Sequence, residues 1–187
     1  MTTMTHRSTE QLHAGLDAIR SAPRDAGRLE LIVRRPDIEV REVLDEGQLD
    51  VAMGLVGDTW NRRGSNRTMD GSPHPDMQIN IMNARVAALV AQSTDRWPLA
   101  GDQLFVDLDL SAANLPPGTR LEIGSAALEV TAQPHTGCGK FVARFGLDAV
   151  KFVNSTVGRE LNLRGINARV IQPGTIRLGD EVRVVRV

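Results

Sequence analysis

Residues 104–131 read LFVDLDLSAANLPPGTRLEIGSAALEVT, and this stretch predicts the fold class. Short apolar runs at 104–108, 120–123 and 128–131 are separated by turn residues, including Pro116-Pro117-Gly118. Short strands divided by proline and glycine turns are typical of an antiparallel sandwich or barrel. The sequence therefore predicts a mainly β protein rather than a parallel sheet with helices on both faces.

Working outward, we expect short peripheral helices and more strands around this centre. An N-terminal helix is predicted at 9–20, from apolar residues at helical spacing and a capping box of Ser8 and Gln11. The other predicted strands are 29–33, 38–44, 49–56, 78–82, 164–171 and 181–187, and the other predicted helices are 83–91, a short one between Cys138 and Gly146, and 147–154. This divides the chain into a helical extension at 1–28 and a β-barrel domain at 29–187.

Composition narrows the classes of function. With 187 residues and 41% hydrophobic content, the chain is long enough for one domain with a buried core. A formal charge of -1 and 3% aromatic residues disfavour a nucleic-acid partner, because neither a basic face nor a stacking surface is indicated. No apolar run in the first thirty residues predicts a signal peptide or membrane span, so we expect a cytoplasmic protein without a membrane partner.

A polar stretch at 57–75 is predicted to be a long surface loop. Arg62, Arg63 and Arg67 lie within it, and guanidinium groups bind phosphate through paired hydrogen bonds, although arginines in such a loop can equally be solvated. A loop this long usually binds a ligand or is mobile, so we expect it to border the site of the single cysteine. His74 lies between two prolines and is interpreted as a turn residue, and no zinc site is predicted.

The single cysteine lies in the run Pro134-His135-Thr136-Gly137-Cys138-Gly139-Lys140-Phe141. A thiolate is a nucleophile and a soft metal ligand, and nearby cations lower the pKa of a thiol. Lys140 and His135 are the candidates to tune Cys138 or to position an anion. The alternative is an inert thiol that fills the core, since free cysteines are commonly buried. Asp107 and Asp109 could share one face of a strand and bind a cation, although local capping is the simpler interpretation.

Several motifs in order resemble the MOSC family, named after the C-terminal domain of molybdenum cofactor sulfurase. They are Gly57-Asp58-x-Trp60, Met82-Asn83-Ala84-Arg85-Val86, Gly101-Asp102-Gln103-Leu104, Asn114-Leu115-Pro116, the cysteine run, Arg144-Phe145-Gly146 and Leu163-Arg164-Gly165-Ile166. The resemblance spans about residues 50–187. It implies a compact β-barrel like the small barrel domain of pyruvate kinase, and a cysteine, here Cys138, that handles sulfur or ligates molybdenum.

The resemblance leaves three hypotheses. In the first, the protein binds the molybdenum cofactor, with Cys138 as metal ligand and Arg62, Arg63, Arg67 or Lys140 holding the pterin phosphate. In the second, Cys138 carries persulfide sulfur from a separate cysteine desulfurase; in the third, the chain is a non-catalytic interaction module. If it is an enzyme, it is a molybdenum-dependent oxidoreductase or a sulfurtransferase. Partners are then a cysteine desulfurase or the molybdenum cofactor machinery, and no pyridoxal phosphate is expected in this chain.

Overall fold

A computed structural model describes residues 5–186 and shows a mixed β-barrel. Within this range the strands are β1 (Ala26–Arg34), β2 (Glu42–Leu44), β3 (Glu46–Asp50), β4 (Gly54–Leu55), β5 (Ile79–Asn83), β6 (Leu104–Asp107), β7 (Arg120–Ile123), β8 (Ala126–Val130), β9 (Ile166–Gln172), β10 (Gly174–Arg177) and β11 (Glu181–Val185). Seven of them form the barrel in the order β11-β7-β8-β9-β5-β6-β1, and β1 pairs back with β11 to close it. Strands β5 and β6 are parallel and the other neighbours are antiparallel. The predicted mainly β barrel is confirmed.

Smaller elements decorate the barrel. Strand β2 extends the sheet at β1, and β10, β3 and β4 form a separate three-stranded sheet. The helices are α1 (Thr9–Ala14), α2 (Leu16–Arg20), α3 (Ala84–Ala91), α4 (Gly139–Phe145), α5 (Leu147–Asn154) and α6 (Thr156–Glu160), with 3-10 turns at Trp60–Arg62, Pro75–Met77 and Thr94–Ala100. Among the residues described, no helix is long and apolar enough to cross a membrane.

Two hydrophobic clusters hold the elements together. The first is made almost entirely of strand residues, such as Leu29, Ile81 and Leu128, and forms the barrel interior. The second lies on the outer face of β1, β5 and β6, where Phe105 of β6 meets the buried residues of the helices. Apolar side chains on opposite faces of one strand serve different layers, because successive residues point to opposite sides. The helices thus cover one side of the barrel.

The N-terminal helix packs as its pattern predicts. Leu12, Leu16 and Ile19 are buried in the second cluster, and the capping box of Ser8 and Gln11 is present. The helix is divided into α1 and α2 at Gly15, where an added side chain would meet Leu89 at 2.5 Å. Strand β1 begins at residue 26, two residues before the predicted end of the helical extension. The division of the chain into an extension at 1–28 and a barrel domain at 29–187 stays a prediction.

Several predicted elements differ from the structure. The predicted strand at 38–44 is wrong for its first half, since only 42–44 is strand and Glu39 has a left-handed φ of 59°. The predicted strand at 49–56 is a hairpin of β3 and β4, because Asp50 accepts hydrogen bonds from the amides of Ala52 and Met53 and reverses the chain. Strand β10, helix α6 and the 3-10 turn at 94–100 were not predicted.

Candidate functional site around Cys138

Cys138 lies at the N-cap of α4, at the end of a loop that is fixed to α5. The Asn154 side chain accepts a hydrogen bond from Gly137 N at 2.8 Å and donates one to Gly137 O at 3.0 Å. A side chain at Gly137 would meet Val150 at 2.7 Å and Val153 at 3.1 Å, so only glycine fits against α5 here. Asn154 therefore fixes both the amide and the carbonyl of Gly137, the residue that precedes the thiol.

The Cys138 thiol is exposed, and its pKa is lowered from the ordinary value. Partial burial raises the pKa of the thiol, but the backbone amides of Phe141 and Lys140 and the charges of Arg164 and Arg144 lower it more. Cys138 is the N-cap residue of α4, but its thiol forms no side-chain capping hydrogen bond. Accessibility together with a lowered pKa is typical of a reactive cysteine. An inert thiol in the core is thus contradicted by its exposure.

A buried ionic group lies beside α4. Asp102 is fully buried, and its Oδ2 accepts a hydrogen bond from Arg164 Nη1 at 2.7 Å. Arg164 also donates to Ala100 O, and its guanidinium carbon lies 5.0 Å from the ring centre of Phe141 in α4. His135 faces the same carboxylate, with Nδ1 3.5 Å from Asp102 Oδ1. Arg164 thereby connects the acid to the helix that follows the thiol.

Three buried polar atoms of this group have no hydrogen-bond partner among residues 5–186: Asp102 Oδ1, His135 Nδ1 and Arg164 Nε. Gly165 lies against two of them with a φ of +117°, and a side chain there would come within 2.4 Å of Ile81 O. Unpaired buried polar atoms cost free energy, so native proteins keep few of them. Their presence next to the cysteine loop indicates a site that is not built for stability alone.

His135 is neutral at physiological pH. Burial lowers the pKa of its imidazole well below the ordinary value, and the charges of Arg164 and Arg35 act in the same direction. A neutral imidazole supplies no positive charge to the thiolate, so the cations that act on Cys138 are arginines. The predicted catalytic role of His135 stays a prediction, restricted to its uncharged form.

Lys140 is exposed and forms an ion pair, with Nζ 3.2 Å from Glu39 Oε1. Arg144, one turn later on the same helix face, lies 2.6 Å from Glu39 Oε2. The hydrogen bonds from Lys140 and Arg144 lower the pKa of the Glu39 carboxyl. The predicted anion-binding lysine is therefore paired with an internal carboxylate, and no local sequence pattern indicates this partner.

The three loop arginines differ in their surroundings. Arg63 lines a cavity with Arg35, Trp60, His74, Met77 and Asn80, together with Gly64 and Ser65. Within the described chain, the side chains of Arg63 and Arg67 form no ion pair or hydrogen bond. Arg62 differs, because its side chain donates a hydrogen bond to Pro36 O at 2.7 Å.

Cys138 does not line that cavity. The cavity and the thiol are linked only through a series of neighbouring cations. Arg63 interacts electrostatically with Arg41, and Arg41 interacts with Arg144, whose charge acts on the thiol. A phosphate clamp of three arginines therefore stays a prediction, and Arg63 is its best-placed member.

Other predicted residues have local roles. His74 Nδ1 accepts a hydrogen bond from Asp76 N, which confirms the turn interpretation. Asp107 pairs with Arg85 at 2.7 Å, whereas Asp109 accepts from the amide of Ser111, as expected for local capping. Among the residues that the structure describes, no three histidine, cysteine or acidic side chains are grouped to hold a metal ion.

Sequence reasoning missed the buried partners. Asp102 and Arg164 occur in motifs that carry the family resemblance, as does Asp58, which pairs with the buried Arg35 at 2.7 Å. The available signal was the recurrence of charged residues beside glycine in those motifs. Asn154 gave none, since its role depends on the approach of α5 to the loop.

Solved structures with the same fold are known. YuaD from Bacillus subtilis aligns with a TM-score of 0.63 at 20% identity, over 85% of this chain and 95% of that one. YiiM from Escherichia coli aligns with a TM-score of 0.55 at 20% identity, over 86% and 70%. YiiM from Geobacillus stearothermophilus aligns with a TM-score of 0.53 at 14% identity, over 86% and 73%. At these identities the likeness shows the fold.

The family model gives a sharper result. A search of curated proteins finds no match. The model of the MOSC domain, a family associated with the C-terminal domains of molybdenum cofactor sulfurases, matches residues 68–183, more than half of the chain. That range includes the cysteine loop, the buried acid and its arginine. This chain belongs to the MOSC domain family.

Proposed function

We propose that this protein binds the molybdenum cofactor and that the Cys138 thiolate is its molybdenum ligand. The observation that carries the proposal is the exposed thiol, whose pKa is lowered by the adjoining amides and by Arg164 and Arg144. Thiolate is a soft ligand that suits a thiophilic metal, and a thiol must lose its proton to coordinate.

The residues present fit such a cofactor better than a bare metal ion. Residues 5–186 hold no group of three potential ligands, so a free ion would lack a coordination sphere from the protein. A pterin cofactor brings its own sulfur ligands and needs a single thiolate from the chain. The unpaired Asp102 Oδ1 and His135 Nδ1 near the cysteine loop also support a polar ligand at this place.

The surroundings of the predicted cations indicate which of them would bind the phosphate of the cofactor. Of the predicted residues, Arg63 is without a carboxylate partner in the described chain and lines a cavity, so it is the first candidate to bind phosphate. Lys140 would have to leave Glu39, and Arg62 would keep its bond to Pro36 O. Arg67 has the freedom to join them. Guanidinium groups suit this task because their paired donors match a phosphate.

When bound, the cofactor would supply a metal centre that changes oxidation state, and the chain would act as an oxidoreductase. The chain's own residues would then orient and protonate. Asn154 and Gly137 fix the backbone before the ligand, and the His135 ring lies with Nδ1 3.5 Å from Asp102 Oδ1. Arg164 holds Asp102 on one side and packs on Phe141 on the other, which keeps α4 in place.

A persulfide carrier is the second candidate, favoured by the exposure of the thiol itself. The Cys138 thiolate would attack the outer sulfur of a persulfide on a donor protein. The donor's sulfur–sulfur bond would break, its thiolate would leave with the electron pair, and Cys138 would hold the persulfide. This reaction requires access for a partner, such as a cysteine desulfurase, but no metal.

The test is the Cys138→Ser variant, compared with Thr136→Ser in the same exposed loop as control. We expect the wild type and the control to retain molybdenum when purified from a cofactor-producing host, and Cys138→Ser to lose it. Because the thiol is exposed, the variant should lose less than about 1 kcal/mol of unfolding free energy. Elemental analysis, intact mass and thermal melting measure these effects.

Each outcome separates the candidates. A mass increase of one sulfur atom without molybdenum would support the persulfide carrier. If the wild-type protein retains neither metal nor sulfur, the remaining hypothesis is a non-catalytic interaction module. A variant that melts with about 1–3 kcal/mol less stability, yet retains its metal or sulfur, would show that Cys138 is a packing residue.

A further inference from the structure

Glu39 places its carboxylate between two cations of α4. Its Oε1 lies 3.2 Å from Lys140 Nζ and its Oε2 lies 2.6 Å from Arg144 Nη2. Lys140 is two residues from Cys138, and the charge of Arg144 lowers the pKa of the thiol. The carboxylate therefore occupies the two cations of α4 that an anionic group of a ligand at the thiol would meet.

The loop that carries Glu39 is anchored by hydrogen bonds at its base and is exposed to solvent at its tip. Arg35 is anchored to Asp58 and Gly101 O, and Arg41 donates to Pro98 O at 3.3 Å. At the tip, Ile38 is 81% exposed and the Glu39 side chain is 57% exposed. The Lys140–Glu39 pair is exposed on both sides and contributes little stability, whereas the Arg144 side chain is 16% exposed. An external anion can therefore compete with Glu39 from the solvent side.

The surroundings carry more positive than negative charge. The arginine–aspartate pairs Arg35–Asp58 and Arg164–Asp102 are neutral as units. Along the rim formed by the Glu39 loop and α4, the Glu39 carboxylate pairs with Lys140 and Arg144 and lies within electrostatic reach of Arg41. Asp37 is an exposed second carboxylate on the same loop, so three cations lie beside two carboxylates, and Arg41 hydrogen-bonds only to carbonyl oxygens in the described structure. Such a surplus attracts anions to the rim.

We propose that Lys140 and Arg144 form an oxyanion-binding site beside the Cys138 thiol, and that Glu39 occupies this site as an internal ligand until the incoming anion displaces it. The inference rests on the proposed role of Cys138 as the reactive group. The anion is a phosphate or a similar oxyanion, carried either by the cofactor or by a substrate. Glu39 then sets which ligands reach the thiol, since a neutral ligand gains nothing from its displacement.

The test compares the rates at which Cys138 reacts with two disulfides, the dianionic dithionitrobenzoate and the neutral dithiodipyridine. In each reaction the thiolate attacks one sulfur, the disulfide bond breaks, and the other half leaves as a thiolate or thione. The ratio of the two rates cancels the ionised fraction of the thiol. Glu39→Gln should raise the ratio of anionic to neutral rates about three- to fivefold, because one negative charge near the attacked site is removed.

The matched control is Glu46→Gln, which removes an exposed carboxylate that pairs with Arg177 at 2.8 Å in the separate sheet. Its ratio should equal that of the wild type. An unchanged ratio in Glu39→Gln, or an equal rise in both variants, would overturn the proposal. Neither probe requires molybdenum, so a failure of metal binding leaves this measurement intact.

A second measurement uses the wild type and needs no variant. Inorganic phosphate, at constant ionic strength, should lower the rate at which Cys138 reacts with the anionic disulfide and leave its rate with the neutral disulfide unchanged. Phosphate should slow the reaction more strongly in Glu39→Gln. Equal slowing of both probes, or none, would contradict an oxyanion site.

The molybdenum content of the same variants separates the two sources of the anion. If the cofactor's phosphate fills the site, Glu39→Gln retains more molybdenum than Glu46→Gln. If a substrate supplies the anion, the two contents are equal while the disulfide ratio still changes.

Discussion

Two buried arginine–aspartate pairs flank the turn at residues 100–102, and they are built differently. Asp58 accepts from the backbone and side chain of Arg35 and from the amide of Trp60, and Arg35 also donates to Gly101 O. Asp102 accepts one bond from Arg164, which also donates to Ala100 O, while its Oδ1 has no partner within residues 5–186. One carboxylate is saturated, and the other retains an unused oxygen.

The difference separates a structural anchor from a candidate site. A saturated buried pair fixes the position of the chains that it joins, and removing one partner leaves a buried charge. An unsaturated group loses stability but keeps a free donor or acceptor for a ligand. The saturated pair holds the base of the Glu39 loop, whereas the unsaturated pair lies beside α4 and the cysteine. Three of the six unpaired buried side-chain atoms found among residues 5–186 belong to this second group.

The largest effect is expected from Asp58→Asn. Both oxygens of Asp58 face donors, Arg35 N and Nε on one and Arg35 Nη2 and Trp60 N on the other, so either orientation of an amide sets donor against donor. We expect a loss of about 3–5 kcal/mol of unfolding free energy, measured by chemical denaturation. Asp45→Asn, an exposed matched change, should cost less than about 0.5 kcal/mol. A small loss in Asp58→Asn would remove the distinction between the two pairs.

The next effect is the response to acid. Burial holds the pKa of folded His135 well below the value of 6.5 for the unfolded chain, so below pH 6.5 the unfolded state takes a proton that the folded state refuses. Stability should fall by up to about 1.4 kcal/mol per pH unit in this window.

Neighbouring carboxyls act in other ways. Burial raises the pKa of Asp102, although Arg164 opposes this, so the folded state gains a proton on Asp102 before the unfolded state does and the loss is reduced. Burial also raises the pKa of Asp58, but bonds from Arg35 lower it more, so its contribution is lost only below 3.8. Denaturation at several pH values should show that His135→Gln removes the loss below 6.5 and that the exposed His13→Gln keeps it. An unchanged acid response in His135→Gln would place the titrating group elsewhere.

The smallest effect is expected from Asp102→Asn. Its Oδ2 can still accept from Arg164, and an amide nitrogen in place of Oδ1 would lie 3.5 Å from His135 Nδ1, which accepts a hydrogen bond when the ring proton is on Nε2. The buried charge of Arg164 loses its counterion, yet the cost of burying the carboxylate is also removed. We expect a loss of about 1–2 kcal/mol in the same denaturation assay. A loss as large as that of Asp58→Asn would show that the second pair is an anchor as well.

Local pattern determined much of the fold. Strand β7 has the predicted bounds 120–123, and Asn83 caps α3 as its side chain allows, because alternation and capping depend on neighbours in the chain. Helix α5 also coincides with its predicted range. The first part of the strand predicted at 38–44 is wrong, and here Glu39 pairs with Lys140 and Arg144, about a hundred residues away in the chain, which no local pattern records.

The sequence by itself determined that the chain is mainly β, that Cys138 lies in a glycine-lined turn at the start of a short helix, and that the order of motifs is that of the MOSC family. These are properties of composition, spacing and order. Only the tertiary structure decided which charges act on the thiol. Arg164 and Arg144 reach it, His135 is neutral by burial, and Glu39 occupies Lys140. Charge interactions depend on distance and burial in space, and closure of the barrel sets both.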